Sequence, residues 1–122
     1  NSESLYNTGV AQAFEYWNTN LPATYLAGNA NFNAIGKTPL EQIITQKWIA
    51  SVINGYEGWI EFRRTGFPSL KNISASLNNG LIPVRMPYPP EAASLNQENY
   101  KVAETATNGN SLDVPVWWNS LP

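Results

Sequence analysis

Two carboxylates stand at a spacing that suits acid and nucleophile chemistry. Glu57 and Glu61 are four residues apart, which places them one turn apart on the same face of a helix. Such a pair can serve as the general acid and the nucleophile of a glycoside hydrolase. In the competing interpretation, Arg63, Arg64 and Arg85 neutralise the two acids in a structural ion network. We favour the network, because catalytic carboxylates face a cleft and these lie on a narrow polar strip between apolar positions. No catalytic residue is assigned, and the chain is not expected to be an enzyme.

The same three arginines suit a second kind of chemistry. A guanidinium group binds a carboxylate through two parallel hydrogen bonds, so a cluster of them could clamp an acidic sugar. The alternative is that they tie the end of a helix to the segment at residues 82–89, through loop carbonyls and the two glutamates. We favour this structural role over the anion clamp.

Aromatic side chains are the remaining candidates for ligand contact. Flat faces that could stack on sugar rings are offered by Tyr25, Tyr88, Trp117 and Trp118. The two tryptophans are adjacent in a segment, residues 114–118, that is predicted to be extended. Successive side chains of an extended segment point to opposite sides. At most one of Trp117 and Trp118 can therefore face a given ligand while the other packs on the core.

The composition excludes several other chemistries. The 122 residues contain no histidine and no cysteine, which excludes Cys/His zinc sites, thiol nucleophiles and Ser-His-Asp triads, so no metal and no cofactor is expected. The seven cations are scattered and the formal net charge is −2, so nucleic acid is not an expected partner. No apolar run approaches the roughly 18 residues that span a bilayer.

Helical periodicity predicts the elements that must position these residues. A first helix is predicted over residues 5–20, and a long ordered loop over residues 21–37. Thr38, followed by Pro39 and Glu41, then starts a second helix with a capping box. This helix is predicted to run unbroken to residue 63 or 64, where the two arginines oppose the negative end of its dipole and Gly66 stops it.

Apolar residues cover most of this long helix, so it is predicted to be central and nearly surrounded. Gly55 and Gly58 lie on one apolar stripe, and glycine inside a helix is explained by close approach of another group. Phe14 and Trp17 of the first helix are predicted to fill that gap.

The remainder is predicted to be less regular. A short helix is expected within residues 70–77, an extended segment over residues 81–90 because four prolines exclude a helix there, and a short helix starting at Asn96. The predicted fold class is mainly α: a long central helix with an antiparallel partner helix in a tetratricopeptide-like pair, irregular or extended segments, and a short C-terminal helix.

Several motifs follow one another in a recognisable order. They are TQKWIA at residues 45–50, the run from Tyr56 through Trp59 and Phe62 into RRTGFP at residues 63–68, IPVRMPYP at residues 82–89, the segment at residues 96–100 and the terminal VWWN. The combination, which spans residues 10–119, resembles the C-terminal part of the SusD/RagB family. Members of that family are mostly helical surface lipoproteins of Bacteroidetes that partner TonB-dependent outer-membrane transporters in glycan uptake.

The resemblance implies that residues 1–122 are a single C-terminal helical subdomain of a longer protein. Its role would be that of a scaffold in a glycan- or nutrient-binding lipoprotein of the outer membrane. The implied partners are a SusC-like TonB-dependent transporter and, for the parent protein, an oligosaccharide. The lipidated cysteine of the family is not in this cysteine-free chain, so the surface anchor is expected to lie outside it. The family motif ends in Trp-Trp-Asp, whereas here Asn119 follows the two tryptophans.

Two other functions remain open. A helical-repeat interaction module would have an exposed apolar groove and no affinity for sugars. A stand-alone carbohydrate-binding module would bind a glycan with these 122 residues alone.

Overall fold

The structure, a computed structural model, describes residues 1–71, 74–76, 78 and 80–119. The chain divides into two compact units, Asn1–Ser69 and Leu70–Pro122. The described residues form helices and no strand, which confirms the mainly α fold class. In chain order the helices are α1 (Ser2–Tyr16), α2 (Pro39–Ala50), α3 (Gly55–Thr65), α4 (Pro90–Leu95) and α5 (Gln97–Ala106). Within these described residues, no helix is both long and apolar enough to cross a bilayer.

The first helix is placed a little earlier than predicted. Asn1 caps α1, since its side-chain oxygen accepts a hydrogen bond from the Glu3 amide at 3.1 Å. The helix ends at Tyr16, and Asn18 takes a left-handed φ of 51°. Asparagine tolerates that conformation better than most residues, which explains why the helix stops before residue 20.

The predicted long helix over residues 38–64 is wrong as a single element, although its start is right. Thr38 Oγ1 accepts from the Glu41 amide at 3.1 Å, as the capping box requires. The helix then breaks at residues 51–54, and a new helix, α3, begins after them. Asn54 caps α3, since its side-chain oxygen accepts a hydrogen bond from the Glu57 amide at 3.4 Å. Two β-branched residues before an asparagine that can cap a helix favour the break over continuation.

The break changes what surrounds the glycines. A Cβ on Gly58 would lie 3.2 Å from Cδ1 of Trp48, so α2 itself supplies the bulky neighbour. The predicted filling by Phe14 and Trp17 is therefore wrong. Phe14 instead meets Tyr25 edge to face, with ring centroids 5.1 Å apart.

The core of the first unit lies between α1 and the loop that follows it. Buried Tyr6, Val10 and Phe32 form its centre. The Tyr6 hydroxyl donates to the Ala30 carbonyl at 2.7 Å, which fixes the loop to α1. Gln42, fully buried on α2, donates through Nε2 to the Asn29 carbonyl at 3.3 Å.

The prediction of a nearly surrounded central helix is wrong. Exposed apolar residues occur on α2 at Ile49, in the break at Ile53 and on α3 at Tyr56, and the exposed fraction of Ile53 is 79%. Helix α2 packs against α1 and α3, but one side of this arrangement stays uncovered by the described residues.

The second unit contains two short helices joined at Asn96. Helix α5 starts after Asn96 as predicted, whereas α4 was not predicted because it begins inside the proline-rich stretch. Pro90 occupies the first turn of α4, where its missing amide proton has no helical partner to lose. Residues 81–89 are irregular, and the Val84 amide donates to the Leu112 carbonyl at 2.9 Å.

Two further predictions concern the ends of this unit. The short helix expected within residues 70–77 lies partly outside the described residues. The extended segment expected over residues 114–118 is wrong, because Trp117 and Trp118 form a turn in which the Asn119 amide donates to the Val116 carbonyl at 2.8 Å.

Candidate functional site

A cluster of charged residues in the first unit forms around Lys47, on α2 opposite the start of α3. Lys47 Nζ lies 2.7 Å from Glu57 Oε1 and 2.8 Å from Glu61 Oε1. Arg64 approaches the other oxygen of Glu61, with Nη2 at 2.5 Å and Nε at 3.2 Å from Oε2. The two candidate carboxylates therefore share one ammonium group, and the arrangement neutralises them.

The contacts shift the protonation equilibria of this cluster. Burial of Glu61 by itself would raise the pKa of its carboxyl, but hydrogen bonds from Lys47 and Arg64 outweigh burial and lower that pKa. Hydrogen bonds to Glu57, then to Glu61, raise the pKa of the Lys47 ammonium. The Glu61 carboxyl and the Lys47 ammonium are thus held in their charged forms at neutral pH. A glycosidase pair needs one carboxyl that stays protonated, so this geometry favours structure over catalysis.

Lys47 was absent from the ion network expected from the sequence. In one continuous helix, Lys47 and Glu61 would be about 21 Å apart along the axis. The two side chains come into contact only because the chain turns at residues 51–54, so that α3 packs beside α2. The signal available in the sequence was Asn54 as a helix cap, three residues before Glu57.

The other two arginines of the expected network make different contacts. The Arg63 guanidinium carbon lies 4.1 Å from the centroid of the Trp59 ring, and burial lowers the pKa of Arg63. Arg85 Nη1 donates to Asn110 Oδ1 at 3.1 Å and to the Ser111 carbonyl at 2.8 Å. A link from Arg85 to the two glutamates stays a prediction.

A groove of about 660 Å³ lies between α1 and α2 in the first unit. Its walls are mainly apolar and include Leu5, Val10, Phe14, Ile43 and Ile49. Its volume falls within the range of small-molecule sites, which is about 300–1,000 Å³.

Tyr25, one of the four aromatic candidates, lines this groove. Its ring packs on Phe14, and its hydroxyl donates to Gln46 Oε1 at 2.9 Å. Both the ring edge contact and the hydroxyl are thus used within the protein.

Tyr88 lies in the second unit, in a cluster with Arg85 and Asn110. The Arg85 guanidinium carbon is 4.9 Å from the centroid of the Tyr88 ring, and Tyr100 meets that ring nearly at a right angle with centroids 6.5 Å apart. Asn110 hydrogen-bonds the backbone of Tyr88 in both directions. Tyr88 is partly exposed, but one face of its ring is covered by the guanidinium.

The two tryptophans differ strongly in exposure. Trp117 is 92% exposed, and Trp118 is 38% exposed. The turn that they form is followed by Asn119, which is only 3% exposed and whose side-chain amide has no hydrogen-bond partner among the described residues. Of the four aromatic candidates, Tyr25 belongs to the first unit and the other three belong to the second.

Comparisons with known proteins agree on one family. The SusD-like family model, described as starch-binding and associating with the outer membrane, matches residues 1–89. A solved structure named as a chitin-binding protein is 31% identical, with a TM-score of 0.71 over 96% of this chain and 28% of its own. A SusD-like structure from Bacteroidetes is 26% identical, with a TM-score of 0.76 over 98% of this chain and 26% of its own. No curated protein matches.

The chain thus spans little more than a quarter of the length of either structure. The family model nevertheless covers α1, α2 and α3 completely, together with the irregular segment up to residue 89. With most of its length matched by the family model and nearly all of it matched in structure, the chain belongs to the SusD-like family.

Proposed function

We propose that these residues form a scaffold, the C-terminal part of a SusD-like glycan-binding lipoprotein of the outer membrane, and are not an enzyme. The observation that carries the proposal is the match of nearly the whole chain to about a quarter of two longer structures. One of them is named as a chitin-binding protein and the other as SusD-like.

The side chains support a scaffold role over direct glycan binding by this segment. Glu57 and Glu61 both pair with Lys47, and the largely buried Glu61 also binds Arg64, so the two carboxylates serve contacts within the protein. Within the groove, the Tyr25 hydroxyl donates to Gln46 Oε1. Sugar sites combine aromatic faces with several polar groups, whereas the walls of this groove are mainly apolar.

The proposal extends to partners and location. A SusD-like protein described as associating with the outer membrane fits a TonB-dependent transporter of the SusC type as partner. The oligosaccharide would be held by the parent protein, through residues outside this segment. The anchor would be an N-terminal lipid outside this chain, which places the protein at the cell surface.

Affinity electrophoresis tests the scaffold role. The 122-residue chain is run through native gels containing soluble starch or glycol chitin, beside a non-binding reference protein. We expect the same mobility with and without polysaccharide. Retardation that increases with polysaccharide concentration would contradict the scaffold proposal.

Trp117 favours a second candidate, a stand-alone carbohydrate-binding module. A tryptophan ring that is 92% exposed is costly to leave in water and is suited to stack on a sugar. If this candidate is correct, retardation in the same gels is lost in Trp117→Ala and kept in Tyr56→Ala, which removes an exposed aromatic ring from α3. Equal retardation of both variants would exclude Trp117 as the binding group.

A further inference from the structure

We propose that the groove between α1 and α2 is the binding site for an apolar helix contributed by the remainder of a SusD-like polypeptide. The inference rests on the proposed function, because it takes this chain to be part of a longer protein. It goes further by assigning the mainly apolar groove of the first unit to an internal interface and not to the glycan.

The shape of the groove suits a helix. Leu5, Gly9 and Ala13 are spaced four residues apart on α1, so they share one face over about two turns, or about 12 Å. Ile43 and Ala50 of α2 line the opposite wall. Apart from its own helix and chain neighbours, no atom of the described chain lies within 4 Å of the position that a Cβ on Gly9 would take. The small residues Gly9 and Ala13 would let the backbone of another helix approach this groove closely.

The chemistry of the groove selects an apolar occupant. Its main polar groups already have partners: Tyr25 donates to Gln46, and Lys47 is paired with two glutamates. The hydroxyls of a glycan would lose their hydrogen bonds to water in this groove and gain few hydrogen bonds to the protein, which is unfavourable. A row of apolar side chains at helical spacing would instead bury surface on both sides, in the helix-in-groove mode.

The length of the comparison structures supports the remainder of the polypeptide as the source of that helix. Both contain this fold at TM-scores of 0.71 and 0.76, and in both it accounts for 28% or less of the chain. The unmatched polypeptide is therefore more than twice as long as the part that this fold matches. Three exposed residues that line the groove provide the apolar surface that the helix would cover: Ile43, Ile49 and Val52.

A chimera tests the assignment. The 122-residue chain replaces the matching 28% of the chitin-binding protein, and hydrogen exchange is compared with that of the 122-residue chain alone. We expect amides of α1 and α2 that line the groove to exchange at least about tenfold more slowly in the chimera, while amides of α5 change less. Ile43→Gln in the chimera should lower the Tm by several degrees. Ile35→Gln, which alters a fully exposed isoleucine outside the groove, should not. Equal exchange in both proteins, or equal effects of the two variants, would overturn the assignment.

A second measurement decides the matter if the chimera fails to fold. In the 122-residue chain alone, the unoccupied groove should bind the dye ANS and raise its fluorescence. Ile43→Gln should remove most of this ANS fluorescence, while Ile35→Gln should leave it unchanged. A monomeric chain that binds no dye would overturn the proposal. So would a dimer in sedimentation that Ile43→Gln dissociates and Ile35→Gln does not, because the occupant would then be a second copy. The starch and chitin gels report on the proposed scaffold function separately, since neither readout here depends on glycan.

Discussion

The side-chain amide of Asn110 pairs with the backbone of Tyr88 as a neighbouring strand would. Asn110 Oδ1 accepts from the Tyr88 amide at 2.9 Å, and Nδ2 donates to the Tyr88 carbonyl at 3.2 Å. The same oxygen also accepts from Arg85, whose guanidinium stacks on the Tyr88 ring. One asparagine therefore fixes both the backbone and the ring environment of Tyr88 in a stretch without regular secondary structure.

Replacing this asparagine should destabilise the second unit. Asn110 has a left-handed φ of 62°, which glycine adopts without strain, so Asn110→Gly removes the hydrogen bonds while keeping the backbone. We expect a loss of about 1–3 kcal/mol in the free energy of unfolding, because the Tyr88 backbone groups lose their partner and Arg85 loses one of its two acceptors. Urea denaturation followed by tryptophan fluorescence measures it.

Asn108 provides the matched control for that experiment. It has a similar left-handed φ of 51°, so Asn108→Gly makes the same chemical change on the same kind of backbone. We expect a change within about 0.5 kcal/mol. Equal losses in the two variants would show that glycine flexibility, and not the Tyr88 pairing, causes the effect.

The two glutamates around Lys47 should differ in their importance for stability. The Glu61 side chain is 12% exposed and binds both Lys47 and Arg64, whereas that of Glu57 is 40% exposed. Glu61→Gln should therefore cost about 1–3 kcal/mol, since it removes the charge of a largely buried carboxylate that accepts hydrogen bonds from two cations. Glu57→Gln should cost less than about 1 kcal/mol, as expected of an exposed pair. Thermal unfolding of both variants tests the order, and a larger loss for Glu57→Gln would contradict it.

The stability should also depend on pH through this cluster. The pKa of Glu61 is lowered from 4.5, so its contribution is present above about pH 4.5 and is lost as the pH falls through the folded-state pKa. The pKa of Lys47 is raised from 10.5, so its contribution is present below that pH and is lost as the pH rises further. Urea denaturation of the wild-type chain should show falling stability at the acid end, and Glu61→Gln should make that acid limb shallower. If stability falls at low pH as steeply in the variant as in the wild type, carboxyl groups other than Glu61 cause the decrease.

Local signals predicted the helices well, because caps and periodicity act over a few residues. Thr38 with Glu41, and Asn96, mark helix starts that the structure contains. The break after Ala50 could not be read with the same certainty, since Asn54 is compatible with both a helix interior and a cap. The choice depends on tertiary contacts such as those of Trp48 with Gly58 and Lys47 with Glu61.

The exposed side of the first unit was missed for a different reason. An apolar helix face predicts burial, but it does not say which polypeptide provides the cover. Ile49 and Ile53 are exposed in the described chain, although their pattern is that of buried residues. The candidate site was affected in the same way: Tyr25 was identified by residue type, while the groove that it lines depends on how α1 and α2 meet.

Two helical glycines give the final test of the packing. Gly9 lies on α1 with open space beside it, so Gly9→Ala should stabilise the isolated chain by about 0.5–1 kcal/mol through helix propensity. At Gly58 on α3, a Cβ would lie 3.2 Å from Cδ1 of Trp48, so the ring must shift before alanine fits. Gly58→Ala should therefore gain clearly less than Gly9→Ala, or lose stability. Urea denaturation of the two variants under identical conditions compares them, with Trp48 fluorescence reporting the displaced ring. An equal gain at both sites would mean that Trp48 does not pack on Gly58, and the contact between α2 and α3 would have to be revised.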